Sequence, residues 1–205
     1  MLLDFEKTKG LLEKYQIPMV ESLVVKNLEQ GIEFADRVGF PVVLKLLLPD
    51  ALHKIDKGLV KLNIQNEQEL RAALGELPRG LPSGELFIQK QISGTELFVG
   101  IKKDKSFGPV ISFGLGGIFV EVLGDIVFAI CPISKNEAME MIKKIKGYKI
   151  LQGYRNQPGV DVGKLADILV NISELAVENQ DIQEIDFNPV MASGSEIFIV
   201  DPKIT

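Results

Sequence analysis

Apolar positions along the chain recur with two periods, and the switches between them lay out most of its elements. Leu2, Phe5, Thr8, Leu12 and Tyr15 repeat at helical spacing, and Pro18 closes that first helix. Val20 to Val25 reads as a strand. Asn27, with Gln30 three residues on, predicts a capped helix with Leu28, Ile32, Ala35 and Val38 on one face and Gly39 as its stop. The apolar run from Pro41 to Leu48 predicts a central strand with Lys45 inside it, and Leu59 to Ile64 predicts another. Asn66 and Glu69 cap a third helix whose Leu70, Ala73, Leu74 and Leu77 face inward.

Two prolines and two glycines in Pro78-Arg79-Gly80-Leu81-Pro82-Ser83-Gly84 interrupt the pattern, which divides the chain into expected α+β lobes over residues 1–84 and 85–205. Strands then follow in series at Leu86 to Gln91, Glu96 to Lys102, Pro109 to Phe113, Ile118 to Leu123 and Ile126 to Pro132. A meander of this kind predicts a largely antiparallel sheet. Ser134 with Glu137 caps a helix running through Lys146, and Asp161 opens a longer one with Leu165, Ile168, Leu169, Ile172 and Leu175 as its buried stripe.

The closing segments carry the chemistry. In Glu184-Ile185-Asp186-Phe187-Asn188-Pro189, side chains two apart share a strand face, so Glu184, Asp186 and Asn188 project together while Ile185 and Phe187 point into the core. If the chain turns back at Ser193-Gly194-Ser195, Asp201 joins them. Such a row is either a solvated strand face or a set of hard oxygen ligands suited to magnesium carrying substrate phosphates. The glycines of Ser112-Phe113-Gly114-Leu115-Gly116-Gly117 serve either a β-turn or a close backbone approach to a ligand. They are not a dinucleotide fingerprint, because Phe119 occupies the final glycine position and the pattern predicts a strand rather than a helix after it.

Composition narrows the classes. The 205 residues are 46% hydrophobic and 25% charged, with a net charge of −5, as in a globular protein with a substantial core. No lysine-arginine cluster marks a nucleic-acid partner. No apolar run nears the roughly 20 residues of a membrane span. Cys131 is the only cysteine, which excludes an internal disulfide and fits a core residue in a cytoplasmic protein.

Taken in order, these segments resemble the ATP-grasp subunit of NDP-forming acyl-CoA synthetases, the ADP-forming acetate-CoA ligase family, and more distantly the succinyl-CoA synthetase β subunit. The resemblance rests on Val43-Leu44-Lys45, Pro49-Asp50, His53-Lys54, Asp56, Gly58 and Val60-Lys61, then Glu96 to Gly100, Phe107 to Val122, Glu184 to Pro189 and Val200-Asp201-Pro202. It implies an ATP-grasp fold of class α+β, with two α+β lobes and the nucleotide cleft between them. ATP or ADP and Mg2+ are the implied cofactors. The implied reaction interconverts acyl-CoA, ADP and phosphate with carboxylate, CoA and ATP through phosphohistidine.

Residue by residue, the resemblance makes Lys45 the nucleotide-phosphate lysine and the segment Gln89 to Ile92, with Gln91, the hinge that reads adenine. Gly58, Gly116 and Gly117 lie in nucleotide-facing loops, and Glu96 meets the ribose. Asn188 and Asp201 are implied magnesium ligands, with Asp186 beside them. His53, the only histidine, relays phosphoryl, and Arg155 contacts an anion. A neutral imidazole is a competent nucleophile near neutral pH. No Rossmann CoA-binding module fits in these residues, so a separate CoA-binding α subunit is expected, as an α2β2 assembly.

Three departures stand in the phosphate-facing segments: Leu59 in place of a second glycine, Ala129 in place of arginine in a Phe-Arg-x-x-Pro pattern, and Asn156 after Arg155 in place of glycine. They leave open a non-catalytic nucleotide-binding or regulatory partner subunit, or a different ATP-grasp carboxylate ligase.

Overall fold

The computed structural model describes residues 2–47, 59–76, 85–117, 120, 124–153 and 158–205. The chain divides into two compact units, Val20–Ile92 and a second made of Met1–Met19 with Ser93–Thr205. This differs from the division at residue 84 expected from the Pro/Gly-rich segment 78–84, which itself lies outside the described residues.

Two pairings account for the difference. Strand β4 (Glu85–Lys90) returns to the first sheet, where it lies between β1 (Ser22–Val25) and β2 (Val42–Leu47). Helix α1 (Phe5–Lys14) belongs to the later unit: the Leu3 N–H donates to the Ile204 carbonyl at 2.8 Å, and Leu12 is fully buried in that unit's core.

The Val20–Ile92 unit holds a four-stranded antiparallel sheet in the order β1-β4-β2-β3, with β3 (Val60–Ile64) at one edge. Helix α2 (Leu28–Val38) packs on β1 and β4, and α3 (Glu67–Glu76) on β2 and β3. Phe34, Ala35, Val42, Leu44, Leu70 and Ile88 are among the residues that close this core. Asn27 caps α2 as expected, accepting from the Gln30 N–H at 3.0 Å. The Gln30 side chain, however, accepts from Lys26 one residue upstream of the cap. At the far end of α2, the Lys90 ammonium donates to the Val38 carbonyl, where helix carbonyls lack partners and a cation is favoured.

The second unit is built on a six-stranded sheet in the order β10-β8-β5-β6-β7, with β9 paired to β8. Its strands are β5 (Thr95–Asp104), β6 (Gly108–Leu115), β7 (Ile126–Ile130), β8 (Glu184–Ser193), β9 (Glu196–Ile199) and β10 (Pro202–Ile204). All pairings between these strands are antiparallel, as the meander predicts.

Helices α4 (Lys135–Lys144) and α6 (Val162–Glu178) pack on each other and on this sheet, with the short α5 (Tyr148–Leu151) between them in sequence. The α6 stripe Leu165, Ile168, Leu169, Ile172 and Leu175 is buried throughout, because positions three and four apart share a helix face. Ser134 and Glu137 form the expected capping box of α4, and Asp161 caps α6 through the Lys164 N–H at 3.0 Å.

The strand expected at 118–123 lies almost wholly outside the described residues. At Val120, its described member, the backbone is helical, and the carbonyl accepts from the Gly124 N–H four residues on at 3.2 Å. Cys131 is buried against the core of this unit, and burial pushes its thiol up to about 11, so it packs rather than reacts at neutral pH. Among the described residues, no helix is long and apolar enough to cross a membrane.

Candidate functional site

Strand β8 carries the oxygen row, and its alternation is as the sequence predicts. Ile185 and Phe187 are buried while Asp186 and Asn188 are only half-buried. What the pattern does not show is a bulge. Leu97 pairs with Val190 and Val99 with Phe187, so Asn188 and Pro189 together face the single residue Phe98. A bulge breaks the ladder and re-aims the side chain that sits on it.

Across the other edge of β8, Phe187 pairs with Pro202 and Val190 with Ile199. That register sets Asn188 opposite Asp201, at the gap between β9 and β10. The turn between β8 and β9 is Gly194-Ser195, so the return predicted from Ser193-Gly194-Ser195 does bring Asp201 to the row.

The glycine run ends beside Asn188. The Gly116 N–H donates to the Glu96 carbonyl at 2.7 Å, and a Cβ on Gly116 would stand 2.5 Å from the Leu97 carbonyl oxygen, so only glycine lets these backbones meet. Gly117 adopts a φ of +59° and donates its N–H to Asn188 Oδ1 at 3.2 Å. A Cβ there would overlap Glu96 Oε2. Glu96, Gly117 and Asn188, far apart in sequence, therefore form one cluster.

The remaining oxygens part company. Asp186 faces Lys203 across the β8–β10 pair, with Lys203 Nζ 3.4 Å from its Oδ2. Sequence reasoning missed Lys203, although the register that places Asp201 opposite Asn188 also places Lys203 opposite Asp186. Glu184 is exposed at the far end of the strand, opposite Lys102. Among the described residues, no three or more His, Cys, Asp or Glu side chains are grouped so that they could hold a metal ion. A cation at Asn188 and Asp201 therefore has an amide-carboxylate pair, with further oxygens to come from phosphates and water. That donor set fits magnesium, which keeps several waters and uses one or two carboxylates plus phosphates, and Asn188 Oδ1 retains a second lone pair.

The other expected residues sit in the Val20–Ile92 unit. Lys45 is half-buried on β2 between Phe87 of β4 and Val60 of β3. Gln89 is buried and donates to Ser22 Oγ at 2.8 Å. Gln91 Oε1 accepts from the Asn63 N–H at 2.6 Å, which braces a left-handed residue in a bulge of β3, and Ile92 is half-buried. His53, Gly58 and Arg155 lie outside the described residues, as does Asn156. Of the two departures that are described, Leu59 is buried in the core of its unit and Ala129 packs partly buried against the larger core.

A family model for the ATP-grasp domain matches residues 1–205. The chain is 41% identical to the β subunit of the ADP-forming acetate-CoA ligase I of Pyrococcus furiosus, over 97% of its own length and 89% of that subunit. The chain belongs to the ATP-grasp family of ADP-forming acetate-CoA ligase β subunits.

This ATP-grasp chain is also 40% identical to the ADP-forming acetate-CoA ligase I of Archaeoglobus fulgidus, over 93% of its length but only 29% of that longer protein. Among solved structures, it matches the dinucleotide-forming acetyl-coenzyme A synthetase 1 of Ca. Korarchaeum cryptofilum with a TM-score of 0.86 and 38% identity. The match covers 99% of this chain and 92% of that one. That protein was solved with coenzyme A and Mg-AMPPCP, its phosphohistidine segment pointing towards the nucleotide binding site.

Proposed function

We propose that this ATP-grasp chain is the nucleotide-binding subunit of an ADP-forming acyl-CoA ligase, interconverting acyl-CoA, ADP and phosphate with carboxylate, CoA and ATP through phosphohistidine. The observation that carries the reading is Asn188, which sits on the β8 bulge and is set opposite Asp201 by the registers of β9 and β10, with its amide oxygen accepting from the Gly117 N–H. Asn188 and Asp201 would hold magnesium, with Asp186 and its partner Lys203 setting the charge beside them. The ion supplies charge neutralisation at the β- and γ-phosphates during in-line transfer.

Each residue of the chain then has a task. Lys45 brings an ammonium to the phosphates, and Glu96 accepts from ribose hydroxyls. The backbone of Gln89 to Ile92 reads adenine, and Gly58 and Gly116 let the chain approach the nucleotide. His53 takes phosphoryl and relays it, while Arg155 steadies an anion. Catalysis of this kind is mainly positioning and electrostatics. The partner is a CoA-binding α subunit in an α2β2 assembly, and the compartment is the cytoplasm, consistent with the unreactive Cys131.

Incubation with γ-labelled ATP and magnesium, with and without the α subunit, tests the reading. Acid-labile, base-stable label that disappears in His53→Ala is the expected result. Nucleotide binding without label on either subunit would favour a regulatory subunit instead, and no nucleotide binding at all would overturn both.

A further inference from the structure

The Gly117 backbone lies against two side chains at once. Its N–H donates to Asn188 Oδ1 at 3.2 Å, which turns the amide so that its oxygen faces Gly117 and keeps one lone pair for another partner. Its α-carbon side meets the Glu96 carboxylate: an added Cβ would overlap Oε2 and stand 3.1 Å from the carboxyl carbon. Its φ of +59° lies in the region that L side chains rarely adopt. The preceding Gly116 N–H ties this backbone to the Glu96 carbonyl at 2.7 Å.

We propose that Gly117 is a positioning residue that couples the two halves of the site, acting on the metal through Asn188 and on the nucleotide through Glu96. It need touch neither ligand. The Glu96 carboxylate, at the far end of an exposed side chain, lies against Gly117 only while no Cβ pushes it aside, and the Asn188 oxygen points where it does because Gly117 turns its N–H towards it. Displacing either disturbs the other through a single residue. The inference rests on the reading that Asn188 and Asp201 hold magnesium-nucleotide.

Mn2+ binding to the full chain in the presence of ADP, followed by electron paramagnetic resonance, tests it without reference to turnover. Gly117→Ala keeps the N–H but strains the backbone that aims it at Asn188, and it is expected to weaken Mn2+ by about tenfold, the low end of the cost of disturbing a group that orients a metal ligand. Gly108→Ala is the matched control: Gly108 has a φ of +74° and open space around an added Cβ, and it opens β6 at the end of the strand away from Gly116, so it carries backbone strain away from Glu96 and Asn188. It should leave Mn2+ affinity unchanged.

In an Asn188→Ala background, Gly117→Ala should weaken Mn2+ no further, because a residue acting through another loses its effect when that other is gone. Metal-free ADP affinity should likewise fall in Gly117→Ala and fall no further when the same change is made in Glu96→Ala. If Gly117→Ala does not fold, Gly117→Asn replaces it, since asparagine tolerates positive φ yet still presents a Cβ to Glu96.

Additive losses in either background, or a Gly108→Ala loss equal to that of Gly117→Ala, overturn the coupling. Wild-type Mn2+ binding that is unchanged by Gly117→Ala overturns the inference alone. No Mn2+ binding by the wild-type protein with ADP overturns the metal reading and the inference with it.

Discussion

Among the described residues, twelve buried hydrophobic side chains form the core of the Val20–Ile92 unit, whereas thirty form the core of the unit made by Met1–Met19 and Ser93–Thr205. Among its described residues, the smaller unit's four-stranded sheet has one bulge, where Gln91 braces the left-handed Asn63. The larger one supports a bulge at Asn188, left-handed glycine at Gly117 and backbone contacts that admit no Cβ at Gly116. Irregular backbone is held only where surrounding packing over-determines it. Asn188 and Asp201 thus stand on the unit with the larger described core, and Lys45 stands on the one with the smaller.

Phe187, fully buried next to Asn188 on β8, ties the larger core to the site most directly. Phe187→Ala should cost about 3–5 kcal/mol in a urea titration, the usual range for emptying a buried aromatic site. It should also remove Mn2+ affinity. A loss below about 1 kcal/mol would mean that the larger core does not support the site.

Ile88→Ala makes the corresponding cut in the smaller core, at a fully buried position of β4, with an expected cost of about 2–5 kcal/mol. Amide exchange should then accelerate in β1, β2 and β4 while β5, β6 and β8 keep their protection, because local opening follows the packing of each unit. Equal acceleration in both sheets would erase the distinction.

The helix caps sharpen it on a finer scale. Asn27→Ala on α2 and Asp161→Ala on α6 each remove one side-chain acceptor from a helix start, at about 1 kcal/mol. In exchange measurements the α2 change should spread through its helix, while the α6 change should stay in its first turn, since the buried stripe of α6 holds the rest. The reverse pattern would contradict the ranking of the two cores.

The smallest effect is confined to alkaline pH. The Cys131 thiol is pushed up to about 11 from 9.0 by burial. Its folded pKa exceeds its unfolded one, so the unfolded chain releases its proton first. The stability this group contributes is whole below pH 9 and falls between about pH 9 and 11. The stability difference between wild type and Cys131→Ala should therefore be flat at neutral pH and shrink across that window, as read from denaturation at a series of pH values.

Much of this was legible in the chain. Helix starts at Asn27, Ser134 and Asp161 were readable because a cap and its helix are neighbours in sequence. The stripes on α2 and α6 and the alternation of β8 follow from fixed geometric periods. Even the approach of Asp201 to Asn188 could be read, since a short turn at Gly194-Ser195 sets the register of the strands beside it.

Other features could not be read this way. The backbone at Val120 is helical within an apolar run that reads as strand, because short apolar runs carry no period that separates the two. The Pro/Gly-rich segment at 78–84 looked like a boundary, yet β4 beyond it completes the first sheet, since a loop signal records a break in the chain and not where the chain goes next.

By itself, then, the sequence determined what nearby residues decide: capped helices, strand faces, the β8–β9 turn and the order of motifs that places the chain in its family. Only the tertiary structure decided that α1 joins the later unit, that Lys203 answers Asp186, and that Glu96, Gly117 and Asn188 form one cluster. Those contacts join strand ends and loops separated by tens of residues. They depend on which edges pair and where a bulge falls, and neither leaves a period or a spacing in the chain.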